Sequence, residues 1–184
     1  MYTNETPLIG FAAYSGTGKT TLLVKLIAIF KQRGQRVGII KHAHHSFEID
    51  YPGKDSYELR KAGADQVLIG SSKRWALMVE MDEDQENPLG FHVSHLLHED
   101  LDLIFVEGFK PVAIPKIELH RPSLNKPLLF SKDENIIAIA TDAEIPVSTT
   151  LPVFDLNDPQ EIADFIIDRF LCGSKISKDK VNKV

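Results

Sequence analysis

Residues 8–21 read LIGFAAYSGTGKTT, and their order decides the fold. An apolar run, Leu8 to Ala13, enters a loop holding Gly16 and Gly18, and Lys19-Thr20 follow at once. From Leu22 onward apolar residues recur at helical spacing. Strand, glycine loop and helix in that series are the parts of a P-loop. Each residue type has a physical task. Glycines let the loop wrap closely enough for its backbone N–H groups to point at a phosphate chain. The helix start behind them adds free donors and the positive end of a dipole. Lys19 brings a full charge to the β- and γ-phosphates, and the Thr20 hydroxyl is placed to ligate Mg²⁺. Ser15, Gly16, Thr17, Gly18 and Thr21 complete the nucleotide-contacting set. Ala13 stands where the usual pattern has its first glycine, a mild change because the later glycines approach the phosphates. Tyr14 occupies the position of the signature lysine found in one ATPase branch and argues against that branch.

With 184 residues, 43% hydrophobic and 26% charged, the chain can bury a core as one domain, residues 1–172. Its one cysteine, Cys172, excludes a disulfide framework within the chain and suits a reducing cytoplasm. No apolar run approaches the roughly 18–20 residues of a membrane span. The first residues, MYTNETP, lack the basic and apolar segments of a secretory leader. The formal net charge is −5; residues 173–184 hold four Lys and one Asp, which leaves 1–172 at −8. So acidic a body is a poor nucleic-acid surface, and neither nucleic acid nor membrane is expected as a partner. The lysine-rich tail reads as a solvated, disordered terminus.

Outward from the P-loop, Leu22, Leu23, Leu26, Ile27 and Phe30 form a helical stripe that Gly34 closes. Val37–Ile40 reads as a buried parallel strand that delivers Lys41-His42-Ala43-His44-His45. Asp55, three residues before Glu58, predicts a capping box opening a short helix through Ala62, with Gly63 closing it. Gln66–Gly70 and Trp75–Met81 predict a hairpin, and Met81–Pro88 an acidic, solvated loop. A helix is expected over Leu89–His98, then an apolar strand from Leu101 ending in Glu107-Gly108. The segment 109–130 holds Pro111, Pro115, Pro122 and Pro127, so Lys116–His120 is expected at most as an edge strand. Further strands are predicted over Ile136–Ala140 and Leu151–Phe154. Asp158-Pro159 opens a final helix with Ile162, Phe165, Ile166 and Phe170 on its apolar face. Strands alternating with helices imply an α/β fold: a P-loop NTPase three-layer sandwich with a mainly parallel sheet. The stretches 66–81 and 109–130 form a small β-rich elaboration on it.

In such sheets ligands bind beyond the carboxyl ends of the strands. Glu107 ends an apolar strand there, suited to hold Mg²⁺ through water or to orient an attacking water, so Lys19 and Glu107 are the candidate catalytic pair. Thr20 and Glu107, joined by Asp50 from the following loop, are the candidate metal donors. Asp142 follows strand Ile136–Ala140 and is suitably located to accept from guanine N1 and N2. The usual Asn-Lys-x-Asp string is absent, since the chain reads Ala140-Thr141-Asp142-Ala143. The residues alone therefore leave GTP and ATP nearly level. His42, His44 and His45 invite a transition-metal site, but two imidazoles on one face without further ligands fall short of one, and phosphate contact or plain loop polarity are the alternatives.

The ordered set AAYSGTGKTTL, IIKHAHH, PGKDSYELRKAGA, RWALMVE and DLIFVEGFK resembles the molybdopterin-guanine dinucleotide biosynthesis protein B family over roughly Leu8 to Leu171. Tyr51 departs from it, standing before Pro52-Gly53 where Lys is expected. The resemblance implies a dimeric, Mg²⁺-dependent GTP-binding protein of the branch that includes metal-insertion GTPases. It implies a task as well: assisting a partner nucleotidyltransferase that attaches GMP to molybdopterin or its molybdenum form. Family residues map onto Gly16, Gly18, Lys19, Thr20 and Glu107. With no obvious arginine finger in the sequence, GTP hydrolysis is expected to be slow. Two rivals remain open: a small-molecule kinase, for which 109–130 offers only Arg121 as a lid arginine, and a metal-delivering GTPase using His42, His44 and His45.

Overall fold

The computed structural model describes residues 6–43, 47–81 and 87–172. His44, His45, most of the acidic loop and the 173–184 tail lie outside the described residues. Two compact units emerge, Met1–His42 with Leu89–Val184, and Ala43–Pro88.

The larger unit is built on β1 (Leu8–Ala13), α1 (Lys19–Gln32), β2 (Val37–Lys41), α3 (Leu89–Ser94), β5 (Leu103–Glu107), β6 (Lys116–His120), β7 (Ile136–Thr141), β8 (Val153–Asp155) and α4 (Pro159–Phe170). Its six strands run in the order β2-β5-β1-β6-β7-β8, and every neighbouring pair is parallel. The α/β fold class is therefore as the strand and helix patterns imply.

The signals at the helix ends act as expected in α1 and α4. Gly34 N–H donates to Lys31 O and Gln35 N–H to Phe30 O, the double bond of a Schellman ending. The Asp158 carboxylate accepts from Gln160 and Glu161 N–H, with Pro159 in the first turn. Two elements differ. Helix α3 stops at Ser94, after which a 3₁₀ turn spans His98–Asp100. In the smaller unit, α2 (Asp55–Lys61) is capped at Lys54 with no side-chain bond, so Asp55 is not the cap. Glu58 still reaches back, but to Gly53 N–H at 3.3 Å.

One face of the large sheet packs Ile9, Phe11, Phe105, Ile117 and Leu119 against Leu22, Leu26 and Phe30 of α1 and Ile162 and Ile166 of α4. Phe105 sits edge-on to Phe11 and Phe30, at 5.1 and 5.5 Å between ring centroids. The opposite face buries Leu8, Ile40, Ile104 and Val106 with Leu89 and Val93 of α3. Layers of helix on both sides of the sheet follow.

The expectation for Lys116–His120 needs correction: β6 is not an edge but an interior strand between β1 and β7, with every residue buried. Pro115 and Pro122 lie just outside it, so no proline interrupts the ladder. Its alternate polar residues, Lys116, Glu118 and His120, are buried, and the first two are paired inside. Lys116 Nζ donates to Asp133 at 2.8 Å. Glu118 accepts the Leu129 and Phe130 N–H groups at 2.7 and 2.8 Å. The segment after β6 thus covers its polar face, and 116–120 belongs to the main sheet rather than to an elaboration.

The smaller unit holds α2 and a two-stranded antiparallel sheet, β3 (Gln66–Gly70) with β4 (Trp75–Val79), the hairpin expected from the pattern. Its Leu68, Trp75, Leu77 and Val79 are exposed and fall on one face by register.

Phe105→Ala removes the ring that joins sheet and helix at the centre of the core. It should cost about 3–5 kcal/mol, read as a lowered urea midpoint in equilibrium unfolding.

Candidate functional site

The loop after β1 is shaped by its own hydrogen bonds. The buried Thr17 donates its hydroxyl to Tyr14 O at 2.7 Å, closing the turn. Gly16 and Gly18 take φ values of +82° and +97°, the left-handed region that other residues enter only at a cost. A Cβ at Gly16 would project into open space, whereas one at Gly18 would lie 3.4 Å from Arg121 Nη2. Gly18 is the N-cap of α1, so Lys19, Thr20 and Thr21 form the first turn with their N–H groups at the loop.

Glu107 stands beside this loop because β5 pairs with β1 in register, Phe11 opposite Glu107. On its other side Lys41 of β2 is in register with it. The two lysines flank the largely buried carboxylate, Lys19 Nζ at 3.5 Å from one oxygen and Lys41 Nζ at 3.8 Å from the other. Structure and sequence therefore bring Lys19 and Glu107 together, and Lys41 joins them.

The turn after Glu107 is strained. Gly108 takes φ +95° and Phe109, a non-glycine residue, φ +52°, a conformation costing about 1–3 kcal/mol. A Cβ on Gly108 would meet His42 Cβ at 2.6 Å, so only glycine fits. His42 N–H donates to Glu107 O at 2.8 Å, and its ring lies 4.7 Å from that of Phe109, with His92 at 5.3 Å on the same ring. His42 is thus built into the turn. Among the described residues no group of three or more His, Cys, Asp or Glu side chains is placed to hold a metal ion.

On the far side of β1, Arg121 directly follows β6. Its Nε donates to Thr17 O at 2.8 Å, and its Nη1 to the Asp142 carboxylate at 2.5 Å. One guanidinium therefore touches both the phosphate loop and the candidate base reader. In the sequence Arg121 reads only as a possible lid arginine, because it lies in a proline-rich segment. Its position directly after a β-prone run was the usable signal.

Asp50 belongs to the smaller unit. Its Oδ1 accepts from Arg60 at 2.7 Å, while Oδ2 is buried without a partner among the described residues. Glu48 and Glu80 also accept from Arg60. The Asp50 bond, foremost among these, holds the guanidinium well above its ordinary range.

The family model for MobB, molybdopterin guanine dinucleotide synthesis protein B, matches residues 8–142. The molybdopterin-guanine dinucleotide biosynthesis adapter protein of Escherichia coli K12 is 48% identical over 163 residues, covering 88% of this chain and 92% of its own length. The adapter protein of the same name from Haemophilus influenzae is 43% identical, covering 89% of each. A crystal structure of molybdopterin-guanine biosynthesis protein B superposes with a TM-score of 0.68 at 25% identity, over 88% of this chain and 98% of that one. Bacillus subtilis MobB gives 0.70 at 24%, over 89% and 98%, a likeness of fold.

His120, opposite Thr141 in the ladder, is buried at the carboxyl end of β6. Burial lowers its pKa below the usual 6.5, and the Asp142 charge offsets this only in part. A depressed folded value means the neutral ring is favoured by folding. That stability is present above about pH 6.5 and is lost as pH falls through the folded value. His120→Gln should therefore lose less stability than the parent chain between about pH 7.5 and about pH 5, as measured by urea midpoints.

Proposed function

The chain belongs to the molybdopterin guanine dinucleotide synthesis protein B family, and we propose that it acts there as a GTP-binding adapter. In this reading it supports a partner nucleotidyltransferase that attaches GMP to molybdopterin or its molybdenum form. The observation that carries the reading is the P-loop at the end of β1 with Lys19 held at the Glu107 carboxylate, 3.5 Å away.

The residues present fit a nucleotide. Gly16 holds the left-handed backbone of the loop at φ +82° beside open space, and the first turn of α1 supplies N–H donors with the positive end of its dipole. The Gly16–Lys19 N–H groups bind the phosphate chain, with Ser15, Thr17 and Thr21 in the loop and first turn around them. Lys19, released from Glu107, places its ammonium on the terminal phosphates, while Lys41 keeps a cation beside that carboxylate. The hydroxyl of Thr20 and the carboxylate of Glu107 are hard oxygen donors suited to Mg²⁺, which when bound neutralises charge between the phosphates. These two belong to the P-loop unit; Asp50, the third oxygen donor considered, is paired with Arg60 in the other. Asp142 accepts from the guanine N1–H and N2–H groups. Hydrolysis is slow because Arg121, the arginine standing at the loop, spends its guanidinium on Thr17 O and Asp142.

A homodimer is part of the proposal. An isolated two-stranded sheet is marginal in water, and the face carrying Leu68, Trp75, Leu77 and Val79 is an apolar surface of the kind that marks an interface. The cytoplasm is the compartment expected, where GTP and the lone Cys172 thiol both belong; among the described residues no helix is long and apolar enough to cross a membrane.

Two experiments check this. GTP with Mg²⁺ should raise the thermal midpoint at concentrations where ATP does not, the two affinities differing by at least about tenfold, or about 1.4 kcal/mol. Lys19→Ala should abolish the GTP shift while leaving the nucleotide-free midpoint in place; a shift that survives removes the P-loop from the reading. For the dimer, Leu68→Lys with Trp75→Lys should convert the sedimenting species to monomer. An unaltered mass would take the hairpin out of the interface.

A further inference from the structure

The base-reading carboxylate lacks the flanking residues that would tie it to the phosphate loop. Residues 140–143 read Ala-Thr-Asp-Ala, and the Thr141 hydroxyl is spent locally, donating to Ala143 O at 2.9 Å and accepting from Ala143 N–H at 3.4 Å. No group beside Asp142 in the sequence therefore reaches across to the P-loop. The connection comes from the neighbouring strand. Arg121 uses two separate N–H groups of one planar guanidinium, Nε on Thr17 O and Nη1 on Asp142 Oδ2, with Nη2 against Gly18.

We propose that Arg121 is the positioning residue for purine selectivity: its guanidinium sets the distance between the phosphate loop and Asp142 so that a bound guanosine nucleotide spans both. The inference rests on the GTP-binding reading above. Three observations support it. The donors leave the guanidinium in fixed directions, so the two acceptors are held by a rigid fork that a lysine ammonium could not reproduce. The Thr17 end is anchored, since that residue is buried and bonded to Tyr14. The Asp142 end keeps capacity, because each carboxylate oxygen has two acceptor sites and Arg121 takes one of the four. Both side chains remain partly open, Arg121 at 30% and Asp142 at 23%. A pair exposed to that degree adds little stability, so a structural role alone gives Arg121 small consequence and a selectivity role a large one.

The full-length chain with Mg²⁺ is titrated calorimetrically with GTP and with ATP, as wild type, Arg121→Ala, Arg121→Gln, Asp142→Ala and the Arg121→Ala/Asp142→Ala double variant. Gln keeps a donor for Thr17 O and a foldable side chain if Ala does not. The GTP-to-ATP affinity ratio should fall by about tenfold or more in both Arg121 variants, with ATP affinity and the nucleotide-free thermal midpoint nearly unmoved. In the Asp142→Ala background, removing Arg121 should leave the ratio where it is, since the two act as one unit. Arg121 variants that keep the wild-type ratio, or ratio losses that multiply in the double variant, would overturn the proposal. Equal GTP and ATP affinities in the wild type would instead overturn the GTP reading itself, and so are told apart from a failure at Arg121.

Discussion

Strand β1 is paired in parallel on both sides, Leu8–Phe11 with Ile104–Glu107 and Gly10–Ala13 with Lys116–Leu119, and the site depends on that double register. Parallel strands end at the same edge, so three consecutive chain ends deliver the P-loop, Glu107 and Arg121 side by side. Side chains alternate between faces with period two. A slip of one residue in β5 would turn Glu107 to the α3 side, away from Lys19 and Lys41. The apolar burial that holds the register, with Phe105 and Ile104 on opposite faces of β5, thus also aims the carboxylate.

The interior position of β6 has a cost that the fold meets locally. Lys116, Glu118 and His120 are all buried on one face, and an unpaired charge there would be strongly destabilising. Asp133 and the Leu129 and Phe130 amides satisfy the first two. Burial alone raises the Asp133 carboxyl, but Lys116 and Asn135 bring it below its ordinary range; the Glu118 carboxyl stays raised because burial outweighs its two amide bonds. The polar segment that pairs these groups packs where a helix covers the other half of the same face. In return β6 carries its last residue, and Arg121 after it, to the phosphate loop.

Strain is concentrated next to the chemistry. Gly108 and Phe109 both adopt left-handed backbone immediately after Glu107, and His42 and His92 pack on the Phe109 ring to hold it. His42, one of the three histidines that invited a metal reading, is here part of a packing device. Its neighbour Lys41 contributes the charge.

The chain's linear pattern determined the elements with local causes. The P-loop follows from one strand, two glycines and Lys19-Thr20 in series, and the closing of α1 and the opening of α4 follow from residues within one turn of each helix end. The α/β class follows from continuous apolar runs alternating with helical stripes. Only the tertiary structure decided what depends on partners far along the chain. Lys116–His120 reads at most as an edge strand until Asp133 and the 129–130 amides are brought over it. Asp55 reads as a cap until the backbone sets Lys54 there. Arg121 reads only as a possible lid arginine, and Lys41 only as the start of the histidine loop, until parallel pairing puts them beside Thr17 and Glu107. Hydrogen bonds and ion pairs act over a few ångströms, and nothing in the local sequence states which residues, from 11 to 104 positions apart, will come within that range.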